Sequence, residues 1–176
     1  MLNIKFGTEN FLIRNEFDEI TITEFEEIST IVNNPDLDLI EQYHAIFLLV
    51  GVKESDLDNV SLEEFMHIIG KWEVRQPLPE FIRTINIGDI EYFAYDESKP
   101  FKFTLKIIRD INKIANEGLT YAKILAIIFK EKDNQTPGTF EEKTLLFTDI
   151  KCSVGLPYIL RYNEEIKNSL NSFQKC

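Results

Sequence analysis

The chain has 176 residues, 44% of them apolar and 28% charged, which suits one folded domain with its own core and argues against a disordered chain. The net charge is −11 and is unevenly placed: Met1 to Gly70 holds three basic and fifteen acidic residues, net −12, and the remainder carries +1. A surface of that sign repels phosphate backbones and argues against nucleic acid as a ligand; a basic protein partner, or solubility alone, fits it better. No stretch approaches the roughly 18–20 apolar residues of a membrane span, and "MLNIKFGTEN" has no signal-peptide pattern.

The first segment, "LNIKFGTENFLIRNEF", alternates apolar residues on each side of Gly7-Thr8-Glu9-Asn10 and predicts a hairpin with a four-residue turn, Ile4 and Phe6 facing Phe11 and Ile13. In "EITITEFEEISTIV", Thr21 and Glu24 have capping-box spacing, and Ile20 and Phe25 hold the hydrophobic-staple positions. Asn34-Pro35 predicts the start of a second helix, "DLDLIEQYHAIFLLV", stopped by Gly51, with Tyr43, Ile46, Phe47 and Val50 as its core stripe. "KESDLDN" suits a short helical turn. Ser61 with Glu64, and Val60 with Phe65, repeat the capping device before "LEEFMHII", whose stripe is Leu62, Phe65, Ile69 and Trp72.

After Trp72 the pattern changes. "RQPLPEFIRTINIGDIEYFAY" has two prolines and then β-branched and aromatic residues around Gly88-Asp89, predicting a second hairpin. Helical periodicity returns at Thr104 and ends before Gly118; "LTYAKILAIIFKEKD" continues it up to the Thr136-Pro137-Gly138 turn. Thr139 with Glu142 opens "FEEKTLLFTDI", and "LPYILRYNEEIKNSL" closes the helical series. The sum is a mostly helical α+β single domain over 1–176 with six to seven helices and two small hairpins. Its parts are a hairpin arm (1–20), an acidic helical part (21–75), a hairpin (80–96) and carboxy-terminal helices (104–170).

Both histidines follow a glutamate by three positions, as "EQYH" (Glu41 to His44) and "EFMH" (Glu64 to His67). Paired Glu-x-x-His units are ligands of dimetal sites in helix bundles, because residues three apart on a helix project together. Helical geometry opposes that use here. At about 100° per residue His67 falls opposite the Phe65 stripe, and His44 only reaches the flank of its own. No helix that could lend a further glutamate fits between Gly51 and Ser61, and Glu24, Glu26 and Glu27 are expected on polar faces. The expected metal site is therefore none, with a carboxylate–histidine metalloenzyme as the alternative of another class.

Catalytic and cofactor-binding residues are likewise expected to be none. Cys152 could act as a nucleophile only by reaching one of the two histidines, and the seven glycines form no phosphate-cradling loop. Cys152 and Cys176 are too few for a disulfide framework and suit a reduced intracellular setting. Fourteen Phe, six Tyr and one Trp, spaced at helical or strand periods, are expected in core or interface. A DNA-mimicking role for the acidic region would need carboxylates at phosphate-like spacing, which helix periodicity alone does not provide.

The succession of "VGVKESDLDNVSLEEFMHIIGKWE", "LPEFIRTINIGDIEYFAYDESKPFKFTLKIIRDI" and "LTYAKILAIIFKEKD" resembles small structural or assembly proteins of tailed bacteriophages, including tail-assembly chaperones. The resemblance is one of pattern and order and spans about residues 20–165; the hairpin before Phe17 and the short loop at 133–138 depart from it. It implies a non-enzymatic helical adaptor in a virion, found in the host cytoplasm during assembly and packed against other virion proteins in a larger oligomer. One of those partners would present a basic surface. The variant reading is a chaperone absent from the mature particle. The group has no active-site motif, so no residue inherits a catalytic role.

Overall fold

The computed structural model describes residues 1–6, 9–72, 82–94, 105–115, 118–131 and 139–173. Within them the fold is α+β and mostly helical, with eight helices and two small antiparallel sheets. The chain divides into two compact units, Met1–Pro77 and Leu78–Cys176, close to the change of pattern after Trp72. The division also partitions charge: the first unit has five basic and sixteen acidic residues, net −11, and the second has fourteen of each.

In the first unit β1 (Leu2–Phe6) and β2 (Glu9–Ile13) pair antiparallel with Phe6 opposite Glu9 and Ile4 opposite Phe11. Glu9 and Asn10 thus belong to the second strand, and two residues, not the expected four, separate the strands. Ile4 and Ile13 are buried, as their alternation requires.

Helix α1 (Ile22–Val32) opens on the expected capping box: Thr21 accepts from the Glu24 N–H, and Glu24 accepts from the Thr21 N–H. Helix α2 (Leu39–Leu49) begins four residues later than Pro35 suggests. Its N-cap is Asp38, in a capping box with Glu41, while Asn34 accepts from the Asp36 N–H and holds the preceding turn. An Asn side chain can cap a turn as readily as a helix, and here Asp38 offers the helix a cap with a matching glutamate. Gly51 stops α2 as expected, at φ +99°, with its N–H on the Leu48 carbonyl and the Val52 N–H on the Phe47 carbonyl. These are the two bonds of a Schellman motif, and only glycine adopts that backbone without strain.

A single turn, α3 (Glu54–Leu57), buries Leu57. Helix α4 (Leu62–Lys71) starts at the Ser61–Glu64 box, but its inward stripe is Phe65, Ile68 and Trp72. Leu62, expected in the core, is 62% exposed, and Ile68 takes the buried place expected of Ile69. A helix at about 3.6 residues per turn can bury either 62/65/69/72 or 65/68/72, and the docking angle chooses. The choice is fixed by the aromatic core: Phe47 meets the rings of Phe65 at 5.7 Å and Trp72 at 6.0 Å, both edge to face, and Tyr43 meets Trp72 at 6.0 Å.

In the second unit β3 (Thr84–Ile87) and β4 (Ile90–Phe93) form the expected hairpin, Ile87 opposite Ile90 across Gly88, whose φ is +59°. A third strand, β5 (Lys130–Glu131), pairs with β4, Tyr92 opposite Glu131. The sequence reads there as continuing helix, but α6 (Tyr121–Ile128) stops early. Phe129 turns to an extended backbone (φ −85°, ψ 133°) and is fully buried, against Phe147 at 5.6 Å and Tyr158 at 5.0 Å. Burying a phenylalanine contributes about 1.5–3 kcal/mol, more than one further helical residue offers, and the open β4 edge takes up the backbone that follows.

Helix α6 buries Ala122, Ile124, Leu125, Ala126 and Ile128, and packs against α5 (Leu105–Ala115), α7 (Phe140–Thr148) and α8 (Cys152–Phe173). Being apolar nearly all round, it is the central helix of its unit. Thr139 and Glu142 cap α7 as expected. Helix α8 begins before the predicted Leu156, with Pro157 inside it. Proline favours the first turn, which is why the sequence places the start nearby; the buried residues Cys152 and Leu156 hold the extra turn in place. The prolines at 77 and 79, Thr104, the turn at 136–138 and Cys176 lie outside the described residues.

Candidate interaction surface

The two Glu-x-x-His units resolve into helix starts. Glu41 accepts the Asp38 N–H at 2.9 Å, and Glu64 accepts the Ser61 N–H at 3.0 Å and the Ser61 hydroxyl at 2.7 Å. The Ser61 hydroxyl and N–H hold the Glu64 carboxyl below its ordinary pKa, so it stays ionised for its local partners. His67 is exposed and His44 half-buried, in keeping with their expected places on the helix wheel. Among the described residues no group of three or more His, Cys, Asp or Glu is placed to hold a metal ion. Cys152 is fully buried in the first turn of α8, in the other unit from both histidines.

The residue that sequence reasoning missed is Arg14. Its guanidinium meets Glu24 through two bonds, Nη2 to Oε1 at 2.7 Å and Nη1 to Oε2 at 3.1 Å. It also donates to the carbonyls of Glu19, Leu49 and Val50 at 3.1–3.2 Å. One planar fork therefore joins the end of β2, the start of α1 and the carboxy end of α2, where unpaired carbonyls favour a cation. Trp72 Nε1 donates to the Arg14 carbonyl at 3.4 Å and brings the end of α4 to the same point. Glu24, expected on a polar face, is thus three-quarters enclosed. The available signal was scarcity: Arg14 is one of three basic residues among the first seventy.

In the second unit the displaced titrations likewise belong to structural groups. Burial pushes the Tyr158 hydroxyl up to about 12, and it donates to the Ile82 carbonyl at 2.8 Å. Burial lowers the Lys143 amine, which donates to the Phe129 carbonyl at 2.7 Å and lies 5.8 Å from the centre of the Tyr92 ring. The Tyr92 hydroxyl is buried with no hydrogen-bond partner among the described residues, and burial, with Glu131 nearby, raises its pKa.

What the first unit leaves outside is apolar as well as acidic. Leu12, Val32, Leu39, Ile40, Leu48, Leu62 and Met66 are all exposed. On α2, Ile40, His44 and Leu48 follow at i+4 spacing; on α4, Leu62, Met66 and Gly70 do the same. Acidic residues stand among them: Asp36, Asp38 and Glu41 at the start of α2, and Asp58 and Glu63 at the start of α4, are exposed. A surface of this kind can bind through its apolar residues and choose partners by charge. No described helix is long and apolar enough to cross a membrane. Comparison of the chain with protein-family models, curated proteins and solved structures finds no match.

Proposed function

We propose that the protein is a non-enzymatic adaptor that holds other proteins in an assembly, with the first unit as its binding half. The observation that carries this reading is the coincidence, within Met1–Pro77, of the chain's entire net charge and eight exposed large apolar side chains, Met1 and the seven named above. Apolar area removed from water contributes about 25 cal/mol per Å² in favour of binding, against which the ordering and desolvation costs of association are set, while the charge speeds encounter with basic partners and repels acidic ones. Four of the groups with displaced pKa values fit the same reading, because Glu24, Glu64, Lys143 and Tyr158 are engaged with neighbouring protein groups.

The pattern-level resemblance described above supplies the finer reading: a structural or assembly protein of a tailed-phage virion. Quantitative mass spectrometry of purified particles of a phage encoding the chain tests it, with a fixed copy ratio to the other structural proteins expected. Absence from particles, combined with capture by a tail protein in infected-cell lysate, would move the reading to an assembly chaperone. A monomer that joins neither would sink the adaptor reading. Stoichiometric iron or manganese lost on His44→Ala would replace it with the metalloenzyme.

A further inference from the structure

We propose that the Leu62–Met66–Gly70 row of α4 is the seat of a basic amphipathic helix from a protein partner; this deepens the adaptor reading and rests on it. Helix α4 has already buried the residues its own unit uses, Phe65, Ile68 and Trp72. Leu62 and Met66 remain 62% and 42% exposed and stand in line, one turn apart.

Gly70 completes the row. Gly70 stands in the last turn of α4, and a glycine in a helix costs up to about 1 kcal/mol relative to alanine, so its presence asks for a reason. The backbone supplies none, since Gly70 is not among the glycines of positive φ. Packing supplies none either: among the described residues a Cβ built there would meet nothing within 4 Å. A second helix laid along the row does supply one. Ridge-into-groove packing brings helix axes to about 8–10 Å, and a missing side chain at the end of a ridge permits the near end of that range.

Charge selects the occupant. A second copy of the chain would oppose one unit of net −11 to another, which disfavours self-pairing through this face. Glu63, in the first turn of α4, is exposed, as is Asp58, the C-cap of α3 four residues before Leu62, so the chain entering the row carries negative charge against the roughly half positive charge of the helix terminus. The neighbouring exposed row runs Glu63, His67, Lys71, so the carboxylate lies at the amino-terminal end and the ammonium at the other. The partner helix therefore presents its lysines or arginines toward Leu62 and its small or apolar residues toward Gly70.

The test uses the full chain, labelled for amide NMR, and three synthetic peptides of about four helical turns. One is an amphipathic Leu/Lys helix, one is the same peptide with Glu for Lys, and one is a scrambled Leu/Lys peptide. The amphipathic Leu/Lys helix is expected to perturb amides along α4 and to bind more tightly than either control. Met66→Glu and Gly70→Leu, each checked for native circular dichroism, are expected to weaken it about tenfold, the loss of one central interface contact. Less than a twofold effect from both variants, or equal binding of the Glu peptide, overturns the inference. So does self-association of the chain that Met66→Glu abolishes. Perturbations confined to another face of the first unit overturn the α4 seat but leave the adaptor reading standing. Failure of every basic peptide to bind the first unit removes both.

Discussion

Arg14 and Glu24 face each other through two parallel hydrogen bonds, 2.7 and 3.1 Å long, in a unit otherwise dominated by acid. Glu24 also closes the capping box of α1, so one carboxylate serves a helix start and a tertiary clamp together. Replacing Arg14 with Ala strands that carboxylate and removes the donor from the carbonyls of Glu19, Leu49 and Val50. Urea unfolding is expected to show a loss of about 2–4 kcal/mol, between the values for exposed and fully buried pairs. Arg14→Lys should recover less than half, because an ammonium cannot span the five acceptors as a planar fork does.

The same pair sets an acid limb. Burial opposes ionisation of Glu24, but the Arg14 hydrogen bond and the Thr21 N–H outweigh it and hold its pKa below 4.5. A carboxyl depressed in the folded state contributes stability that is fully present above its unfolded value and disappears as pH falls through the folded one. Stability measured between neutral pH and pH 3 should therefore fall below about pH 4.5. Glu24→Gln should be less stable at neutral pH and show a shallower fall; an unchanged acid limb would exclude Glu24 as a contributor.

The caps and the histidines should separate cleanly. Ser61→Ala removes a helix cap and is expected to cost about 1 kcal/mol. His67→Ala, on an exposed position, should stay within about 0.5 kcal/mol. If His67→Ala costs more than Ser61→Ala in thermal or urea unfolding, the capping account of "EFMH" is wrong.

Two buried tyrosines should behave oppositely. The Tyr92 hydroxyl has no partner among the described residues, so Tyr92→Phe is expected to be neutral or stabilising by up to about 1 kcal/mol. Tyr158 holds the Ile82 carbonyl, so Tyr158→Phe should cost about 0.5–1.5 kcal/mol. Equal effects would place a hidden partner on Tyr92.

Gly70→Ala adds a Cβ into open space on a helix and should stabilise the protein by about 0.5–1 kcal/mol. Destabilisation instead would mean that the helix already packs closely at that point in the free protein.

Three of the eight described helix starts were legible because a capping box is a four-residue object: Thr21–Glu24, Ser61–Glu64 and Thr139–Glu142 close within one turn and require nothing from the rest of the chain. Asp38–Glu41 has the same form and escaped notice because Asn34-Pro35 offers a competing start just before it. The mixed α+β class, the aromatic core stripe of α2 and the Gly51 stop follow from period and backbone preference alone. The acidic character of the proposed interaction surface was equally legible, as a count of charges.

What the sequence by itself determined is therefore local: where the chain turns, where the helices opened by a recognised capping box begin, and how charge is divided along the chain. Only the tertiary structure decided the rest. It chose Ile68 over Leu62 for the core of α4, turned Phe129 inward to make β5, and brought Arg14 to carbonyls thirty-five and thirty-six residues away. Local bonds close small rings at little entropic cost, so residue type and spacing suffice to foresee them. Contacts between distant segments form only if the packing of the whole unit offsets the closing of a long loop, and no short stretch of sequence carries that sum. The exposed row on α4 is of this second kind: Leu62 reads as core until the helix has docked and left it outside.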